Sequence, residues 1–113
     1  MRKTDYTELE ATTNVKFKDR SLLDRAFTHK SYINEHKGEE IKDNERLEFL
    51  GDAVLELAAT EFLFHKFPQK DEGRMTAFRS ALVKGQNLAE VARTLKLGDY
   101  LFLSNGEEKS GGR

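Results

Sequence analysis

The longest organised stretch in the hydrophobic pattern is Asp43 to Phe67, DNERLEFLGDAVLELAATEFLFHKF. Plotted at about 100° per residue, Leu47, Phe49, Leu50, Ala53, Val54, Leu55, Leu57, Ala58, Phe62, Leu63 and Phe64 spread almost all the way round a helix. Such a helix is expected to lie buried in the middle of its domain. Four acids interrupt the pattern. Glu45, Glu48, Asp52 and Glu56 follow at steps of three, four and four, so they share one narrow face.

Shorter elements flank this helix. Tyr6, Leu9 and Thr13 give a weak stripe for a first helix, with Asp5 and Glu8 spaced as a capping box, and Val15 and Phe17 follow as expected core anchors. Asp19 is a good N-cap for a second helix bearing Leu22, Leu23, Ala26 and Phe27. Residues 31–42, SYINEHKGEEIK, are polar and contain glycine, which predicts a loop with His36, Lys37 and Lys42 in solvent. Asp43 or Asn44 caps the long helix, and Pro68 ends it, because the residue before a proline resists the α region. Asp71 caps a helix with Met75, Phe78, Ala81 and Leu82 on its apolar side, and Gly85 separates it from the next. Leu88, Val91, Ala92 and Leu95 form a regular amphipathic stripe, with Gly98 as its terminator. Tyr100 to Leu103 should tuck against the helices, and the tail from Ser104, rich in Gly, Ser and charge, should be flexible. The fold class predicted is all-α, in five helices.

Composition narrows the setting. The 113 residues support one small domain, 1–113, with a modest core. Absence of cysteine excludes a disulfide or thiolate metal site. No apolar run reaches the length of a membrane span, and the N-terminus lacks the apolar stretch of a signal peptide; a cytoplasmic protein is expected. The net charge of -1 argues against a strong unaided electrostatic grip on nucleic acid.

The acid row carries the candidate chemistry. Carboxylates at i,i+4 oppose each other by a few tenths of a kcal/mol. On a buried helix each unpartnered one would cost several kcal/mol more in desolvation. A hard divalent cation compensates, since Mg²⁺ takes oxygen ligands. The alternative is that the first acids favour the helix N-terminus and the rest face water. Asp52 and Glu56 lie beyond the reach of that dipole. Gly51, mid-helix at about 1 kcal/mol relative to Ala, suggests another backbone close by. His29 reads either as a general base or ligand or, with no second His or Cys at ligand spacing, as a satisfied structural histidine. Arg74, Arg79 and Lys84 read as a solvated face or as contacts to a phosphate backbone. Phe49, on the side of the acids, is either core or an aromatic that enters a partner subunit.

The segment NERLEFLGDAVLEL, Asn44 to Leu57, resembles the signature of the ribonuclease III family, nucleases that cut double-stranded RNA. THKS at Thr28 to Ser31, FPQKDEGRMTAFRSALV at Phe67 to Val83, and GEEKSGGR at Gly106 to Arg113 resemble the family in the same order. The resemblance implies Mg²⁺-dependent endonucleolytic cleavage of double-stranded RNA, in rRNA and mRNA precursor processing, with Mn²⁺ as a substitute metal. It implies Glu48 as a metal-binding glutamate and Asp52 as the catalytic, metal-associated aspartate. Glu45 becomes a supporting or RNA-proximal acid, and Glu72 an acid at the cleft edge tied to metal or RNA handling. Thr28 to Ser31 becomes architectural. Phe49 becomes a dimer contact in a homodimer.

Family members carry a further helix, with a second Asp and a Glu three residues on, and commonly a separate double-stranded-RNA-binding domain. Neither is in these 113 residues. The expectation is a truncated nuclease domain whose metal site is incomplete and which is inactive alone unless the first acids suffice. The competing function is a non-catalytic RNA-associated or dimerisation module on the same scaffold; a helical interaction domain with a solvated acid face is a third.

Overall fold

The computed structural model describes residues 3–111. It is all-α: α1 Thr7–Thr13, α2 Arg20–Ala26, α3 Lys30–Glu35, α4 Glu45–Lys66, α5 Glu72–Leu82, α6 Gly85–Thr94, a 3-10 turn Leu97–Tyr100, and α7 Asn105–Lys109. No helix among the described residues is long and apolar enough to cross a membrane.

The core is an N-terminal knot. Tyr6 just before α1 and Leu9 within it, Leu23 of α2 and Phe27 just after it, and Phe102 are buried together, with Phe17, Tyr32, Leu97, Tyr100 and Leu101 packed around them. The rings of Tyr6, Phe27 and Tyr100 meet pairwise at centroid separations of 5.9, 5.5 and 5.4 Å, a range in which aromatic pairs attract beyond their area burial. The Tyr6 hydroxyl donates to the Asp24 carboxylate, so its polar end is satisfied. Residues far apart in sequence are joined by backbone: Phe102 N–H donates to Phe27 O at 2.8 Å and His29 N–H to Phe102 O at 3.0 Å.

The start of α4 is tied to this knot. Asn44 N–H donates to Thr28 O at 2.9 Å, Asn44 Nδ2 to Ala26 O at 2.8 Å, and Arg25 Nε to Asp43 O at 3.0 Å. From there α4 runs outward for 22 residues, roughly 33 Å. α5 crosses its C-terminal half, with Phe67 against Phe78, and α6 returns the chain to the 3-10 turn and the knot. The molecule measures 54 × 29 × 23 Å with a radius of gyration of 16.7 Å, against roughly 13 Å for a compact domain of this length.

That extension overturns the expectation of a buried central helix. On α4 only Ala59 and Leu63 are buried, whereas Phe49, Leu57 and Phe64 are 85%, 67% and 63% exposed. Apolar residues encircle the helix, but α5 covers only part of its circumference. Gly51 meets no neighbour: a Cβ there would find nothing within 4 Å.

Local signals resolve in detail. Asp19 caps α2 by accepting from Ser21 N and Leu22 N, and Asp71 caps α5 by accepting from Arg74 N. Asp43, rather than Asn44, supplies the carboxylate at the start of α4, accepting from Glu45 N. The Asp5–Glu8 box does not form: Asp5 accepts from Thr7 and Glu8 pairs with Lys96. Val15 lies outside the core, 46% exposed, beyond the left-handed turn at Asn14 that ends α1. The terminator after α6 is Lys96 in the left-handed region, not Gly98.

Two predicted flexible stretches contain helices. α3 forms within 31–42 because His29 Nδ1 accepts Ser31 N–H and Tyr32 packs edge-on against Phe102. His36 is drawn in with it, its ring stacked on Tyr32 at 3.8 Å. α7 starts where Ser104 Oγ accepts Glu107 N–H, and Asn105 N–H donates to the Glu35 carboxylate.

Candidate functional site

The acid face of α4 is open to water. Glu45, Glu48 and Asp52 are exposed and Glu56 is half-buried. The buried-helix argument for a compensating cation therefore does not apply to these carboxylates. Their pairing, however, is uneven. Lys30 Nζ from α3 lies 3.6 Å from Glu45 Oε1. Arg79 Nε from α5 lies 3.3 Å from Glu56 Oε2. Glu48 and Asp52, between them, carry neither an ion pair nor a side-chain hydrogen bond among the described residues.

Glu48 and Asp52 stand one turn apart, the spacing at which side chains on a helix become neighbours. Mg²⁺ keeps several waters and is commonly held by one or two carboxylates, so this pair fits part of its oxygen shell. Among the described residues no group of three or more His, Cys, Asp or Glu is arranged to hold a metal.

Glu72 is not brought to that pair. It opens α5 and shares a cleft with Thr60, Leu63, Phe64 and Arg79, and Phe64 lies roughly 18 Å of helix rise beyond Asp52. Phe49 is not core, at 85% exposure. It lines an open cleft of about 550 Å³ with Arg25, Glu45, Arg46, Leu47 and Leu50. His29 serves as N-cap of α3, its Nδ1 2.7 Å from Ser31 Oγ, which is the structural role.

Of the three basic residues, Arg79 is engaged by α4, while Arg74 and Lys84 are exposed and without an ion pair among the described residues. The cross-helix cation at each end of the acid row was not legible in the sequence. Partners on α3 and α5 are set by how those helices dock, and only the acids share a period.

The ribonuclease-III-like family profile matches residues 19–113. A protein named Ribonuclease 3 from Listeria monocytogenes is 52% identical over 108 residues, covering 96% of this chain and 47% of that protein. Another of that name, from Enterococcus faecalis, is 50% identical over 107 residues, covering 95% and 46%. The nuclease domain of ribonuclease III from Campylobacter jejuni, studied for structural flexibility in a region involved in its dimer formation, superposes with a TM-score of 0.83. It is 44% identical, with 96% of this chain and 71% of that one covered. An all-α nuclease-domain scaffold with an acid-bearing long helix is thus the class. The chain belongs to the ribonuclease III family. It spans about half the length of the curated relatives it matches.

Proposed function

We propose that this chain carries the Glu48 and Asp52 part of a Mg²⁺-dependent site for endonucleolytic cleavage of double-stranded RNA. The observation that carries this is the uneven pairing on α4. Of four aligned acids, the outer two lie within ion-pair distance of Lys30 and Arg79, and the inner two face solvent unpaired. A bound Mg²⁺ supplies Lewis acidity and an activated water to such a reaction. Glu48 and Asp52 would hold it, and Mn²⁺ would substitute. Glu45, 3.6 Å from Lys30 Nζ, supports the RNA-facing edge. Arg74 and Lys84, exposed, would take backbone phosphates without reading sequence. Glu72, away from the inner acids, fits an RNA-proximal role at a cleft edge. The reading extends to rRNA and mRNA precursors as substrates and to the cytoplasm as the setting.

A homodimer belongs to the same proposal. An aromatic ring that is 85% exposed beside an open cleft suits insertion into a second copy. The competing reading, a dimerising or RNA-associated module without catalysis, draws on that same ring.

Mn²⁺ titration of the chain by calorimetry, beside Asp52→Asn and Glu48→Gln, tests the assignment. Uptake by the native chain that falls at least tenfold in either variant is expected; equal uptake by all three overturns it. Long duplex RNA with Mg²⁺ in parallel separates the two readings. Asp52-dependent cleavage supports the nuclease. RNA retained intact by a chain that takes up Mn²⁺ through Asp52 assigns cutting to a larger assembly.

A further inference from the structure

Helix spacing alone does not say which acids hold an ion. Glu48 and Asp52 are four residues apart, and so are Asp52 and Glu56. α4 therefore offers two equivalent carboxylate pairs that share Asp52. A cation could sit on either, or move between them.

The tertiary structure removes that equivalence from one side. Arg79 reaches across from α5 and grips a single turn of α4 at two points. Its Nε lies 3.3 Å from Glu56 Oε2, and its Nη1 donates to Thr60 Oγ1 at 3.0 Å. The Thr60 hydroxyl donates its own hydrogen to Glu56 O at 2.7 Å, so the lone pairs of Oγ1 face the guanidinium. The planar fork of arginine is suited to such a two-point hold, and lysine could not reproduce it. The Arg79 and Glu56 side chains are 38% and 46% exposed, whereas at the other end Lys30 and Glu45 make one long contact of 3.6 Å with side chains 63% and 58% exposed, a pair of the kind that contributes little.

We propose that Arg79 is a positioning residue: by holding Glu56 out of the acid row, it confines the cation to Glu48 and Asp52. The inference rests on the metal reading above. It gives Arg79 a role other than phosphate contact, since its fork is committed to α4.

The test is a double-mutant cycle read by Mn²⁺ affinity: the native 113-residue chain, Arg79→Met, Glu56→Gln, and both together. With Arg79 present, Glu56 is already occupied, so Glu56→Gln should change affinity by less than about twofold. Arg79→Met should tighten Mn²⁺ by about threefold or add a second ion, and Glu56→Gln in that background should remove the gain. A residue that only stiffens the α4–α5 packing would shift melting without this coupling.

Independent, multiplying effects of the two substitutions overturn the proposal while leaving the metal reading standing. Failure of all four chains to take up Mn²⁺ overturns both. Mn²⁺ binding that emerges only in Arg79→Met also overturns both, because Glu48 and Asp52 would then hold no ion in the native chain.

Discussion

The knot around Phe27 and the long helix α4 are made of similar residues and meet opposite fates. Tyr6, Leu9, Phe27 and Phe102 are 1%, 4%, 9% and 4% exposed. Phe49, Val54 and Leu57 are 85%, 56% and 67% exposed. Hydrophobicity therefore does not distinguish the two regions. What distinguishes them is closure: α1, α2 and residues 100–103 surround one another, whereas α4 meets a neighbour on only part of its circumference. The stability of the chain should accordingly reside in the knot, while the proposed Glu48–Asp52 pair lies on the exposed helix.

The sharpest way to break this comparison is to truncate one aromatic in each region. Phe27→Ala removes a ring packed against Tyr6 and Tyr100 and should cost about 3–5 kcal/mol. In the monomeric chain, at concentrations too low for pairing, Phe49→Ala should lie within about 0.5 kcal/mol of native. Urea unfolding of both decides it, and comparable losses would mean that α4 is covered in solution.

Within α4 the same contrast should recur on a smaller scale. Leu63, 4% exposed against α5, should cost about 2–3 kcal/mol on replacement by Ala. Leu57→Ala should cost less than about 0.5 kcal/mol. Thermal melts of the pair locate the one stretch where α5 protects the helix.

At the far side of the knot, Ser104→Ala removes the acceptor for Glu107 N–H and should destabilise α7 by about 1 kcal/mol locally. Amide exchange at Glu107 is the readout, and an unchanged rate would show that the Glu35 contact alone holds α7.

The smallest effect concerns pH. The Ser21 hydroxyl first, and then the Leu22 and Ser21 amides, hold the Asp19 carboxyl below its ordinary value. A depressed folded-state value means that the carboxylate's contribution is fully present above the ordinary range and disappears as pH falls through the folded value. Protection of Leu22 N–H, taken relative to its intrinsic exchange rate at each pH, should therefore fall on acidification below about pH 4. Asp19→Asn should flatten that response.

Much of the local architecture was legible because it depends on neighbours in sequence. The caps at Asp19 and Asp71 formed as expected, as did the stop before Pro68. α7 was missed: Ser104 and Glu107 stand three apart in the capping-box spacing, but the Gly and Ser around them led to an expectation of flexibility. α3 was not legible in the same way. It depends on His29 as an acceptor and on Tyr32 finding Phe102, a contact across some seventy residues that no local pattern contains.

The candidate site divides similarly. Sequence alone determined that four acids share a face of one helix, and that Phe49 lies beside them, because helical periodicity is a local property. It also carried the family resemblance, through residues 44–57 above all. Only the tertiary structure decided which of those acids are spoken for. Lys30 and Arg79 arrive from helices whose docking depends on packing, and the exposure of α4 depends on which surfaces surround it. A periodic pattern states what a helix can bury and where its charges align. Its neighbours decide what is buried and which charges stay free.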